Sequence, residues 1–275
     1  MPCIYTHHVF GKDVHAGLPK ELRTIIEHHK DEFFAGLQGP DFLFFYLPVF
    51  KVRTNQIGHW QHKRPFDTFL RHLIPVIHRE GTDSGVYAYT MGFICHFMLD
   101  SECHSYVIPA SKQPGYNHLA IENEFDRHLM RTHGIAPLTY PVWRLVKINK
   151  AVTSTVQKAY EAFEIPMKKI HESIYSMRFY KWLFTNDKGL RRSLIRGAMK
   201  LSMCYDEIEG HMLDLHPKKY AAKTNQSLQY IYDSAIAPTQ ELIVDFHKTI
   251  TEGQPLNPRF HTTFNSNEPY IPKSR

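Results

Sequence analysis

The chain has 275 residues, 43% of them apolar and 13% aromatic, enough for a sizeable core and too apolar for a disordered chain. Its formal charge of +6 favours anionic ligands, but the sequence holds no long Lys/Arg block and no basic stripe interleaved with aromatics, so a dedicated nucleic-acid surface is not indicated. Nineteen histidines are the outlying count, concentrated before residue 135, and four cysteines (Cys3, Cys95, Cys103, Cys204) without a C-x-x-C pair read as free thiols.

The first residues, Met1 to His8, lack a charged and apolar leader pattern, and no apolar run reaches membrane-span length, so the expected address is the cytoplasm. If residues 1–18 are helical, His8 and His15 fall two turns apart and share a face. Leu18-Pro19-Lys20 is a break, and Glu21–Leu37 has a helical period of apolar residues, with His28 and His29 on its solvent side. Gly39-Pro40 turns the chain and places Asp41 immediately before the apolar run Phe42–Leu47, where a carboxylate is either a helix cap or a ligand. Residues 51–61 read as a polar loop carrying His59, with His62 just beyond it, and a helix is expected over Phe69–His78.

The apolar stretch Tyr89–Val107 carries His96-x-x-x-Asp100-x-x-x-His104. Steps of four residues advance roughly 40° around a helix, so all three side chains emerge along one stripe of a helix that is otherwise apolar. Two imidazoles and a carboxylate are costly to bury without partners, and a metal ion satisfies all three. His96 and His104 lie about 12 Å apart along the axis, so two neighbouring sites fit better than one. A core helix with ordinary hydrogen-bonded histidines is the competing reading. After the break at Pro114-Gly115 comes His118-x-x-x-Glu122, a second i, i+4 pair of zinc-ligand types on a helix stopped by Gly134, with Glu124 and Asp126 expected on its solvent side.

Past Pro137 the stretches Val142–Phe163, Met167–Phe184, Gly189–Met203 and Lys219–Thr251 are amphipathic and read as scaffold, and residues 254–275 as an extended tail. His211 and His216 read as structural, Phe44-Phe45 and Tyr87/Tyr89 as core, and Phe66 or Tyr106 as candidate walls of a substrate cleft. No run of alternating strands is evident. The expectation is an all-α single domain over 1–275, with a metal-site half at 1–135, a helical half at 136–253 and the tail.

Thr6-His7-His8-Val9-Phe10, Gly39-Pro40-Asp41, His62, His96-x-x-x-Asp100-x-x-x-His104 and His118-x-x-x-Glu122 together resemble the bacterial zinc-dependent phospholipase C family, an all-helical fold shared with single-strand-specific nucleases. The likeness covers roughly the first half of the chain. It implies one zinc held by Asp41, His62, His96 and Asp100 and a second held by His104, His118 and Glu122. His8 and His59 are the alternatives to His7 and His62. In the family a third zinc is completed by Asp100, by the first histidine (here His7) and by a mature N-terminal tryptophan that this chain lacks. Two ions are therefore expected, with the third left open. The three-residue gap after Asp100 is also shorter than in the exported phospholipases.

Such a site lowers the pKa of a bound water toward ~7 and clamps a phosphoryl oxygen for in-line attack. The resemblance suggests Asp41 as the carboxylate that accepts the water's proton, with Glu122 second. The expected activity is hydrolysis of a phosphate ester, phospholipid among the candidates. A nuclease or small-molecule phosphodiesterase on the same fold is the nearest alternative, and a metal-stabilised scaffold without turnover is the third. Helical phosphohydrolases built on an adjacent His-Asp pair are disfavoured, because no His-Asp dipeptide occurs in the chain.

Overall fold

The computed structural model describes residues 4–185, 189–201 and 212–269, so Cys3, Cys204 and His211 lie outside the described residues. The α-helices are α1 (Ile4–Gly17), α2 (Lys20–His28), α3 (Lys30–Gly36), α4 (Arg53–His62), α5 (Phe66–Glu80), α6 (Gly85–Ala110), α7 (His118–Thr132), α8 (Lys150–Ala159), α9 (Met167–Phe184), α10 (Gly189–Leu201) and α11 (Ala221–Glu252). Among the described residues there are also four 3-10 turns (Asp41–Phe45, Val142–Arg144, Glu161–Phe163, Pro258–His261). Strands β1 (Thr262–Thr263) and β2 (Ser266–Pro269) pair antiparallel in a small hairpin. The fold is all-α, as the sequence implies.

Helix α6 is the axis. It starts where Ser84 Oγ accepts the Tyr87 N–H, and its residues from Val86 to Ser101 are all buried, the signature of a helix apolar on every side. Helices α1, α3, α5, α7, α8 and α11 pack around it, and one cluster of buried apolar side chains runs from Ile4 to Phe264. No helix among the described residues is long and apolar enough to cross a membrane.

Several local expectations change. Glu21–Leu37 is not one helix: His29 leaves the helical region at φ −121°, ψ 44°, and α3 turns onto α6. There a Cβ on Gly36 would sit 2.1 Å from Tyr89 O, and one on Gly92 would sit 2.2 Å from Phe33 O, so the two backbones touch. The expected loop over 51–61 is mostly helix α4. Its polar residues mislead because Asn55, Gln61 and His62 face inward, Gln61 accepting from the Tyr160 hydroxyl at 3.0 Å.

The expected extended tail is folded through 269. Phe260 and Phe264 are buried, and Phe264 joins the rings of Phe66, Phe93 and Phe97 at centroid distances of 5.5, 6.0 and 5.4 Å. Arg259 ties this segment to α6, donating to Ser101 Oγ at 2.6 Å and to Glu102 at 2.7 Å. Phe66 is therefore a core residue and walls no cleft. Tyr87 and Tyr89 are core as expected; Cys95 is buried and Cys103 half-buried, both unbridged, and desolvation pushes both thiols up.

Candidate metal centre

Helix α6 brings His96, Asp100 and His104 to one stripe, and all three are buried. Asp41 opens the 3-10 turn rather than capping it: Pro40 is the N-cap and no side chain caps the turn. The Asp41 carboxylate instead meets His62 Nε2 at 3.1 Å and His96 Nε2 at 3.8 Å. Gly39 makes this approach possible, since at φ +48° it places its backbone where a Cβ would lie 2.1 Å from the His96 ring. Asp100 Oδ2 lies 3.4 Å from His96 Nε2 and 3.9 Å from His62 Nε2, while Oδ1 lies 3.1 Å from His7 Nε2. The rings of His7 and His96 stack with centroids 4.4 Å apart. One turn further along α6, Glu122 Oε1 meets His104 Nε2 at 3.1 Å and His118 Nε2 at 3.0 Å.

Three groups of potential ligands result: His7/His96/Asp100, Asp41/His62/His96 and His104/His118/Glu122, each with its ligand atoms within 4.8 Å of one another. The histidine alternatives separate geometrically. His8 turns to the other face of α1 against Phe34, where burial pushes it down to about 4, and His59 packs against Phe44 at a tilt, ring centroids 4.5 Å apart.

The chemistry of the donor set fits a cation. His96 Nδ1 faces Leu37 O at 3.2 Å, His62 Nδ1 faces Gly58 O at 2.9 Å and His104 Nδ1 faces Phe264 O at 2.7 Å. A carbonyl only accepts, so each Nδ1 carries the hydrogen, and a ring in that tautomer has its Nε2 lone pair available on the inner side. Burial pushes His96 down to about 4, which keeps it neutral near pH 7 with its lone pair aimed at carboxylates. His104 shifts the other way: burial would lower it, but Asp100 and a direct bond to Glu122 raise it. Burial would likewise raise Asp41 and Asp100, yet the His96 imidazole leads the neighbours that hold both below the usual carboxylate range. Asp41 Oδ1, both Asp100 oxygens and the Nε2 atoms of His7, His62 and His96 are buried without a hydrogen-bond partner. Buried polar atoms left this way call for an ion that accepts lone pairs from all of them.

Residues 6–184 match the sequence model of a family described as zinc-dependent phospholipase C. The chain belongs to that family. No curated protein and no solved structure matches it at a significant level. Imidazole and carboxylate donors suit the family's metal, since zinc binds nitrogen and oxygen ligands of this kind. All eight candidate ligands fall inside the matched segment, whereas the Phe264 carbonyl that orients His104 comes from outside it.

Two residues of α7 correct the sequence reading. Glu124 and Asp126 are buried, not on the solvent side. Glu124 ion-pairs with Arg127 at 3.0 Å. Asp126 accepts the backbone N–H of Thr6 at 2.8 Å, that of Tyr5 at 3.3 Å and the Thr6 hydroxyl, anchoring the first turn of α1 beside His7. The signal was the spacing: Asp126 continues the His118, Glu122 stripe by another four residues. Asp126→Ala is expected to strand those donors and to lower unfolding free energy by about 1–3 kcal/mol. Thermal unfolding with metal analysis checks this, and Asp126→Asn, which keeps one acceptor oxygen, should recover part of the loss.

Proposed function

We propose that the protein is a zinc-dependent phosphoric ester hydrolase of phospholipase C type, acting on a phosphodiester such as that of a phospholipid. The observation that supports it most is the set of nitrogen and carboxylate donors converging from α1, the Asp41 turn, α4, α6 and α7, among which His7, Asp41, His62, His96 and Asp100 have buried atoms without a hydrogen-bond partner. In this reading Asp41, His62, His96 and Asp100 hold one zinc and His104, His118 and Glu122 a second. His7, 3.1 Å from Asp100, offers the third position that the sequence left open.

Zinc held there supplies an acidified water and positive charge beside the phosphoryl oxygens. The chain's own residues do the rest. Asp41, ionised at neutral pH, has a bare Oδ1 toward the centre and is the candidate to take the proton from the attacking water, with Glu122 as the second candidate. The backbone carbonyls of Leu37, Gly58 and Phe264 hold three imidazoles in the tautomer that presents Nε2. Phe264, packed on His62 and His96 with ring centroids 5.0 and 5.7 Å away, excludes water from the inner side. Solvent reaches the set chiefly at His118, about a third exposed, which is where a phosphate ester would enter.

The test is metal content of chelator-free protein together with turnover of a phosphocholine lipid, a single-stranded nucleic acid and a chromogenic phosphodiester. Two or three zincs per chain with lipid turnover support the reading. Turnover of nucleic acid alone moves the substrate to the nuclease branch. Tight metal with no turnover, whose removal unfolds the protein, leaves a structural role. With the metal bound at 1,000 times its Kd, stripping it should lower stability by about 4 kcal/mol.

A further inference from the structure

Between the Asp41–Phe45 turn and α4 the chain reads Tyr46-Leu47-Pro48-Val49-Phe50-Lys51-Val52-Arg53. A connecting loop is ordinarily polar, yet Leu47, Val49 and Phe50 are 48, 69 and 62% exposed, with Pro48 exposed among them. Scattered exposed apolar residues need no explanation, but four in a row at one loop tip do.

The tip is held rigid. Leu47 sits at φ 47°, a left-handed conformation that a bulky residue keeps only where its surroundings enforce it. Buried Asn55 enforces it: its side-chain amide donates to Tyr46 O at 3.0 Å, Leu47 O at 3.3 Å and Phe50 O at 2.6 Å, and its Oδ1 accepts the Val52 N–H at 3.2 Å. Phe50 N–H closes the turn on Leu47 O at 2.9 Å. These carbonyls are satisfied from inside the protein, so much of the loop backbone could leave water without stranding its polar groups.

Along this segment of the chain the charge has one sign, with Arg53 also 3.6 Å from the exposed Glu164. From Phe42 to Phe66 the sequence contains no Asp or Glu, while Lys51, Arg53, Lys63 and Arg64 are exposed. Trp60, also exposed, has the Arg64 guanidinium 6.0 Å from its ring centre, an amphipathic pair suited to the boundary between water and hydrocarbon. The loop joins the two segments that carry Asp41 and His62.

We propose that residues 46–52 form a preformed apolar prong that docks the protein on an anionic phospholipid bilayer, with Leu47, Val49 and Phe50 entering the headgroup–acyl boundary and Lys51, Arg53, Lys63 and Arg64 on the lipid phosphates. This deepens the phospholipase reading and rests on it for its purpose, but docking itself needs no turnover. Apolar burial plus attraction to anionic lipid is the physics of peripheral membrane binding, and the attraction weakens with salt.

The experiment is cosedimentation of the metal-loaded protein with vesicles of phosphatidylcholine, with and without phosphatidylglycerol. Wild type is compared with a Val49→Ser/Phe50→Ser double variant and with Lys51→Glu, alongside melting temperatures, oligomeric state and turnover of a soluble chromogenic phosphodiester. The double variant should partition roughly tenfold less while melting and soluble turnover stay unchanged. Lys51→Glu should weaken binding to the phosphatidylglycerol vesicles and leave binding to pure phosphatidylcholine unaffected. Equal binding by all variants, or none by wild type, overturns the proposal. So does a wild-type dimer that the double substitution splits, which would make the prong an interface between copies. Vesicle binding lost in the double variant, with no turnover of any substrate by wild type, would sustain docking and remove the hydrolase reading.

Discussion

Asp100→Asn is expected to strip at least one metal equivalent from the chain and to cut phosphodiester turnover by about 10³-fold or more. Asp100 is fully buried, and its two oxygens serve different neighbours: Oδ1 is 3.1 Å from His7, and Oδ2 is 3.4 Å from His96 and 3.9 Å from His62. Asparagine keeps the shape, removes the charge and turns one oxygen into an N–H₂ group facing an imidazole. One of the two adjoining ligand groups then loses its anionic donor. Because the substitution is isosteric, the helical signal in circular dichroism should persist. Metal content and turnover that both match wild type would remove Asp100 from the centre. His59→Ala is the control, since His59 packs on Phe44 outside the ligand groups and its loss should leave metal content unchanged.

The largest loss of stability is expected from Gly92→Ala, about 3 kcal/mol or more, measured by denaturant unfolding. The added methyl would lie 2.2 Å from the Phe33 carbonyl oxygen and 3.0 Å from Leu37 N, both backbone atoms. No rotamer change relieves a clash between a methyl and a main chain, so α3 must back away from α6. That retreat moves Leu37 O, which accepts from His96 Nδ1, and with it the Gly39–Asp41 turn. Metal content should therefore fall along with stability. Gly197→Ala, whose methyl meets nothing within 4 Å, should be neutral or slightly stabilising. A Gly92→Ala protein as stable as wild type would mean that the α3–α6 crossing tolerates separation.

What could be read in the sequence was whatever is periodic. Ligand types at i, i+4 and i+8 within an apolar run announce a polar stripe on a buried helix, and α6 is such a helix. The same rule placed His118 and Glu122 on one face of α7. Asp126 continues that face, but its partners Tyr5 and Thr6 lie some 120 residues away in the chain, where no local pattern shows them. The loop reading of 51–61 failed for a related reason: inward polar residues look like solvent-facing ones until their partners are known.

By itself, then, the sequence determined the helical class, the family and a short list of candidate donor residues, because helix periodicity and the order of ligand types are properties of neighbouring positions. Only the tertiary structure decided which histidine of each pair, His7 over His8 and His62 over His59, turns toward the carboxylates. It also decided that Asp41 faces His62 instead of capping its turn, and that the supposed tail folds back to place Phe264 O on His104. Each of these choices is a contact between distant segments, set by how α1, α3, α4 and the hairpin pack on α6, and no local pattern encodes where such segments meet.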